Sequence, residues 1–483
     1  MTDLSPAQYR DLLITAAGAT FEADSVEPNL RLLYTPHTHR LALDPEVTVV
    51  QGERGTGKTV WARALTDDRL RGVAAAAYMM PRLRRATVTT GFGSWDSANE
   101  HPGPGTMRAL FDSGADPVDI WHAVVLVALG DPALRDLDWP ARVRWVAENP
   151  DAYERRLWDH DREARAKDTV QLILFDRLEH VYGTRRIDDL LVSGLLRVAL
   201  ELRMNTRCVR AKVFLRPDMF ESAPRNFPDA SKIRANPALL DWKTVGLYGL
   251  LFHQMGNAGG DLAARFREQT GVWQDEGDGR FVAPVDAMAD AGRQEEIFAV
   301  IAGRYMGAKQ KGYTYTWLPN HLQDGNQQVS PRSFLKAIST AAAYTRDNLA
   351  THELPLHHDA IRRGVRDASL LRVDEITEDI PWAAVAVGKL EGLQVPIEES
   401  AVRQCWNEKG LTAELDKMVV AQQELEVRSS GPRDTADHPS LIRQLEELGI
   451  MTRRRTDQRI DLPDVYRIAF GIGRKGGVRR SAT

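Results

Sequence analysis

The sequence predicts an α/β fold in which a mostly parallel sheet carries helices on both faces and is followed by a helical region and a winged-helix-like C-terminal end. Three observations carry this expectation. The apolar run "VTVVQG" leads into a glycine-rich turn that opens a helix ending near residue 65. Two further apolar runs, "VQLILFD" and "RCVRAKVFLRPD", flank a helical-period segment, "RIDDLLVSGLLRVALELRM", the pattern of parallel strands joined by helical crossovers. Near the C-terminus, "PSLIRQLEELGIMTRRRTDQRIDLPDVYRIAF" reads as an amphipathic helix ended by Gly449, a short strand, a turn around Thr456 and Gln458, and a second strand. That order suits a winged helix, and a helical docking module is the alternative.

A chain of 483 residues exceeds one ordinary core, since domains run to about 100–200 residues. The composition shifts suggest an N-terminal helix and linker over 1–45, a sheet-bearing core over 46–236 with a surface insertion at about 81–168, a helical region over 237–346, and a C-terminal region over 347–483. Apolar content of 43% and charged content of 27% are globular values. No apolar run reaches the roughly 18–20 residues that span a bilayer, so no membrane partner is expected. The start, "MTDLSPAQYRDLL", lacks the pattern of a secretion signal, which makes the cytoplasm the expected compartment. Two cysteines, Cys208 and Cys405, are too few for a disulfide framework or a cysteine metal site.

Within these limits each element has a local reason. "SPAQYRDLLITAA" has helical periodicity, and "YTPHTHRLAL" is a loop leading to the first strand. "GVAAAAYMM" is short and apolar and is read as a strand. "RATVTTGFGSWDSANEHPGPGTM", rich in Gly, Pro, Ser and Thr, is read as irregular, either a partner surface or a loop without a role. "DWKTVGLYGLLFHQMGN" and "SPRSFLKAISTAAAYT" are helices, the second with a Ser-Pro start suited to an N-cap and first turn.

Residues Gly52, Glu53, Arg54, Gly55, Thr56, Gly57, Lys58 and Thr59, followed by Val60, match G-x-x-x-x-G-K-[ST] between a strand and a helix. Glycines let the backbone N–H groups wrap a phosphate chain at a helix N-terminus, Lys58 can reach the β/γ-phosphates, and the Thr59 hydroxyl can hold Mg²⁺. Asp176, after the apolar "LILF", is placed to hold Mg²⁺ through water, or else to cap the following turn. Glu179 is the nearest acid able to orient or deprotonate an attacking water, or is a capping or salt-bridge residue. Arg216, at the tip of "VFLRP", can sense a γ-phosphate with its planar fork, or simply pair with Asp218. Arg332, opening a later helix, could reach back to the nucleotide from a lid.

Together, "GERGTGKT", "LILFDRLE", "VFLRPD" and "SPRSF" resemble the STAND branch of the AAA+-like P-loop ATPases of the additional-strand class, and within it the bacterial KAP-like ATPases. The resemblance implies a molecular switch that holds ADP when closed, takes ATP with Mg²⁺ on sensing a trigger, and moves its helical lid and winged helix to oligomerise or activate a partner. Many bacterial members of that branch act in defence against phage. It further implies that Lys58 and Thr59 bind phosphate and Mg²⁺, that Asp176 is the Mg²⁺ carboxylate and that Arg216 reports nucleotide state. Glu179 stands where Asp is frequent in KAP-like proteins. No repeat array or effector domain is recognisable, so a homo-oligomer acting through a protein effector encoded nearby is expected.

The net charge of −4 offers no global attraction to nucleic acid. Arg453, Arg454 and Arg455 in the hairpin, with Arg459, Arg474, Lys475, Arg479 and Arg480 in the basic tail, can nevertheless bind DNA phosphates without reading sequence, or be solvated. Arg82, Arg84 and Arg85 could face nucleic acid or supply an arginine finger. A DNA-bound assembly factor, of the initiator or transposition-helper kind, is therefore the alternative function.

Overall fold

The computed structural model describes residues 3–18, 29–93, 100–183, 185–224, 227–235, 237–424, 431–432 and 434–475. It divides into two compact units: Ala23–Asp241, and Met1–Glu22 together with Trp242–Thr483. Among the described residues no helix is long and apolar enough to cross a membrane.

The first unit is built on five strands: β1 (Val49–Gln51), β2 (Ala86–Phe92), β3 (Val170–Phe175), β4 (Val209–Leu215) and β5 (Ala238–Leu239). Their order is β2-β3-β4-β1-β5 and every pairing is parallel. One strand, β4, thus lies between the loop-bearing β1 and the acid-bearing β3. The sheet is covered on both faces, and the pleat shows why its strands read as continuous apolar runs. Ile173, Phe175, Val213 and Leu215 join a core with Trp121, whereas Leu172, Leu174 and Phe214 join the opposite core with Trp61.

The strand expected at "GVAAAAYMM" is instead the end of the helix Asp68–Ala77 and the turn after it. Its alanine run favours a helix, and Asp67 caps the start by accepting from the N–H groups of Arg69 and Leu70. The missing strand is β2, which lies inside the stretch read as irregular. Its threonines and valine are β-branched and suit a half-buried edge strand, and polarity concealed them. The supposed surface insertion at 81–168 is therefore corrected: besides β2 it supplies the helices Pro117–Ala128, Trp139–Glu148 and Pro150–Ala166. Trp121, fully buried, meets Phe92 and Phe175 edge-on and donates its indole N–H to Leu191 O at 2.8 Å. The stretch "SWDSAN", 94–99, lies outside the described residues.

The second unit is helical. The helix Pro6–Gly18 belongs here and not to the sheet: buried Arg10 donates to the carbonyls of Ala350, His352, Leu354 and Pro355 at 2.9–3.1 Å. The helices Thr244–Asn257 and Pro331–Asn348 pack beside it, and His358–Asp379 packs on Pro331–Asn348. A separate core then gathers Trp382, Trp406, Leu441, Leu445, Ile460 and Tyr466. There the helix His438–Glu447 is followed by Gly449, at φ +68°, and by an antiparallel hairpin of Thr452–Arg453 and Ile460–Asp461, the order expected from the sequence.

Burial of Trp121 leads to a test. Trp121→Ala should lower the unfolding free energy of the sheet unit by about 3–5 kcal/mol, read as a lower urea midpoint; a site on a surface excursion would leave the midpoint unchanged.

Candidate nucleotide site

The loop between β1 and the helix Lys58–Thr66 is shaped by its own backbone. Gly55 and Gly57 have φ of +78° and +102°, conformations that a side chain would strain. Gly52 has a different reason: a Cβ there would lie 2.4 Å from Thr56 Oγ1. The Gly52 N–H donates to Leu215 O at 3.1 Å, fastening the loop to the end of β4, and Thr56 closes the turn by donating its hydroxyl to Glu53 O at 2.8 Å. Lys58 Nζ donates to the carbonyls of Gly52 at 2.7 Å and Glu53 at 3.0 Å. The ammonium is thus held at the loop, which opens at a helix N-terminus where backbone N–H groups favour anions.

Asp176 follows β3, is only 5% exposed, and donates its N–H to Phe92 O of β2 at 2.9 Å. Arg177 then adopts φ +55°, a left-handed conformation that costs a residue with a side chain on the order of 1–2 kcal/mol. This turn starts the short helix Leu178–His180 and places Glu179 beside the loop.

The charges interlock. Burial, and next the Glu179 carboxylate, push Asp176 up to about 6, against Lys58, the Arg177 N–H and the Thr59 hydroxyl, which favour its ionised form. Burial also raises Glu179, but Lys58, its own N–H, His180 and Arg216 together outweigh it and hold this acid below its usual range. Lys58 is lowered by burial and by Arg216, while Glu179 and Asp176 oppose the fall. Lys58, Thr59, Asp176, Glu179 and Arg216 therefore meet at the C-terminal ends of β1, β3 and β4.

A buried carboxyl that accepts from Thr59, raised by burial and by a second carboxylate in spite of Lys58, fits a hard cation such as Mg²⁺. Arg216 makes a two-pronged pair with Asp218, Nε to Oδ1 at 3.0 Å and an Nη to Oδ2 at 2.8 Å, so the bland expectation is met while its charge still acts on Lys58 and Glu179. Arg332 lies in the helical unit, where it donates to the buried Glu375 at 3.2 Å. The Gly91-Phe92-Gly93 end of β2 was not foreseen as part of the site. A Cβ on Gly91 would lie 2.5 Å from the Phe175 ring, and Phe92 anchors Asp176. Two neighbouring glycines around an aromatic were the available sign.

The C-terminal arginines are largely engaged. Arg453 donates to Glu446 at 3.0 Å and Glu399 at 2.9 Å, Arg454 lies 3.4 Å from Asp457, Arg459 pairs with Asp457, and Arg474 pairs with Asp464 and Asp461. Arg455 is exposed at the hairpin turn. Arg479 and Arg480 lie outside the described residues. Arg82 pairs with Glu46 at 2.6 Å and Arg85 with Asp168 at 3.1 Å.

No family model matches this chain. The transposon gamma-delta 80.3 kDa protein of Escherichia coli (strain K12) is 32% identical over 89 residues, which is 18% of this chain and 13% of that protein's length. Among solved structures, the Aeropyrum pernix ORC2 protein in ADPNP-ADP complexes aligns at TM-score 0.33 and 14% identity over 90% of this chain and 95% of that one. The Aeropyrum pernix ORC1 protein in complex with DNA aligns at 0.34 and 16% over 90% and 91%, and Cdc6p from Pyrobaculum aerophilum at 0.23 and 12% over 85% and 91%. At such scores the P-loop fold rests on the strand order and on the loop itself.

Two expected outcomes test the site. Lys58→Ala should abolish binding of a fluorescent adenine nucleotide at concentrations that saturate the parent. Asp176→Asn should stabilise the nucleotide-free protein at pH 7.5 by up to about 3 kcal/mol, since a rise of about two pH units in a buried carboxyl costs roughly that much once it ionises. The sign follows from a folded pKa above the unfolded one: stability is lost as pH climbs from about 4 through about 6, so thermal melts of variant and parent should converge near pH 4.

Proposed function

We propose that the chain binds ATP and ADP with Mg²⁺, hydrolyses ATP slowly, and uses nucleotide state to control its own assembly or the activity of a protein partner. The observation that carries this reading is the meeting of Lys58, Thr59, Asp176, Glu179 and Arg216 at one edge of the sheet. In this reading the loop N–H groups and Lys58 hold the phosphates. Mg²⁺, held by the Thr59 hydroxyl and on the Asp176 side, would supply positive charge to the phosphate oxygens. Glu179 orients the attacking water. Lys58, its own N–H, His180 and Arg216 keep it ionised, so that its oxygens can accept a hydrogen bond from that water. Arg216, tethered to Asp218, would exchange that partner for a γ-phosphate and so report which nucleotide is bound. The STAND or KAP-like assignment, with a role in antiphage defence and a homo-oligomer as the active form, rests on the order of loop, acid, strand-end arginine and lid helix. A role for Arg332 in a lid requires it to leave Glu375.

The second reading is an ATP-dependent DNA-bound assembly factor. It is favoured by the transposon protein that shares 89 aligned residues with this chain and by the exposed Arg455. The acid partners of Arg453, Arg454, Arg459 and Arg474 count against a strongly basic wing.

Glu179→Gln should retain nucleotide binding and lose at least about a hundredfold in turnover; a variant that hydrolyses ATP like the parent removes Glu179 from the mechanism. Arg216→Ala should bind nucleotide yet show the same sedimentation profile with ATP as with ADP, and a preserved difference would sink its sensor role. Duplex DNA that neither binds at low salt nor stimulates hydrolysis would dismiss the second reading, because phosphate contacts strengthen steeply as salt falls.

A further inference from the structure

The segment "THELPLHHDAIRR" runs from the end of the helix Pro331–Asn348 into the helix His358–Asp379 and carries three imidazoles and two carboxylates, Glu353 and Asp359. Ligand atoms of His357, His358 and Asp359 all lie within 4.8 Å of one another. One pair is closer: His358 Nε2 to Asp359 Oδ1 is 3.6 Å. Donor atoms on a tetrahedral metal with bonds near 2.0–2.1 Å stand about 3.4 Å apart, so a few tenths of an ångström of side-chain adjustment would suffice for this pair. His357 Nδ1 accepts the Asp359 backbone N–H at 3.1 Å, which fixes the ring as the cap of the helix and leaves Nε2 as its ligating nitrogen. The His352 ring centre lies 4.6 Å from that of His357, and the rings of His357 and His358 are 4.1 Å apart.

The surroundings fix this arrangement from three directions. Arg10 holds the carbonyls of Ala350, His352, Leu354 and Pro355, which sets the loop that carries His352. The His357 N–H donates to Thr345 Oγ1 at 3.2 Å. Gly307, at φ +80°, brings its backbone so near the His358 ring that a Cβ would lie 2.9 Å from it. A metal site is worth more when its ligands are held by such a supporting shell.

We propose that His357, His358 and Asp359 bind a divalent transition metal of the Zn²⁺ type at the start of the helix His358–Asp379, with the remaining positions open to water. Imidazole nitrogens and one carboxylate suit Zn²⁺ and its neighbours and disfavour Mg²⁺ and Ca²⁺, which prefer oxygen alone. Bound metal would fasten the loop to the helix that leads into the C-terminal core. It would also take Asp359 from Arg362, whose Nη1 donates to Oδ1 at 2.6 Å.

The test uses the full chain without a polyhistidine tag and Co²⁺ alone as the probe, followed by visible absorption and competed with Zn²⁺. One Co²⁺ per chain with the intense bands of low-coordinate geometry is expected. His358→Gln and Asp359→Asn should each weaken binding at least about tenfold, the order seen when shells around metals are disturbed, with circular dichroism unchanged. Arg362→Ala should bind at least as tightly as the parent, because it frees Asp359. Absence of saturable Co²⁺ binding by the parent, or parent-like affinity in His358→Gln, would overturn the proposal. The melting temperature supplies a second measurement: Zn²⁺ should raise it in the parent and not in His358→Gln.

Discussion

The arrangement at the sheet edge depends on one buried ammonium. Lys58 donates to two carbonyls of its own loop and feels the charges of Glu179, Asp176, Arg216 and Glu53. A charge in that position must be compensated, so the ends of β3 and β4 have to bring Asp176, Glu179 and Arg216 near it. The acids in turn disturb each other, and Asp176 is pushed up while Glu179 is held down. Two carboxyls whose proton affinities are driven apart by their surroundings can take separate roles, one beside a cation and one beside a water. The strained backbone at Arg177 is what places the second acid, an instance of local strain kept where chemistry needs it.

A second buried ammonium holds the unit from behind. Lys212 of β4 is fully buried and donates to the carbonyls of Ala42, Asp44 and Val47 at 2.8–2.9 Å. Those carbonyls belong to the approach to β1, so β4 anchors the strand that carries the loop, and the Gly52 N–H closes the connection on Leu215. The central strand therefore sets the height of the phosphate loop relative to the acids.

How much of this could be read in the sequence differed by element. The loop, β3, β4 and the C-terminal hairpin were legible because glycine spacing and apolar runs encode them locally. The strand β2 was not, because its threonines are polar and its partner lies some eighty residues away, and pairing partners leave no mark in a local pattern. The alanines of "GVAAAAYMM" are apolar enough to pass for a strand but favour a helix. The arginines of the hairpin looked like a basic patch although two of their acids, Asp457 in the same turn and Glu446 in the preceding helix, stand nearby in sequence; Glu399, the second partner of Arg453, comes from elsewhere in the chain. The bidentate pair between Arg216 and Asp218 was legible as a possibility, being only two residues apart.

The N-terminal helix closes a very long loop. Arg10 bonds to Pro355 across 345 residues of chain, while the sheet unit is completed by Asp241. As the chain leaves a ribosome, the sheet unit has all of its residues before the first helix meets most of its partners. The order of synthesis thus gives the sheet unit the earlier opportunity to fold, and leaves an unpaired helix waiting on more than two hundred intervening residues. Because the sheet unit is inserted within the other unit along the chain, one backbone cut at either crossing would leave the two still covalently joined. Separating them takes two.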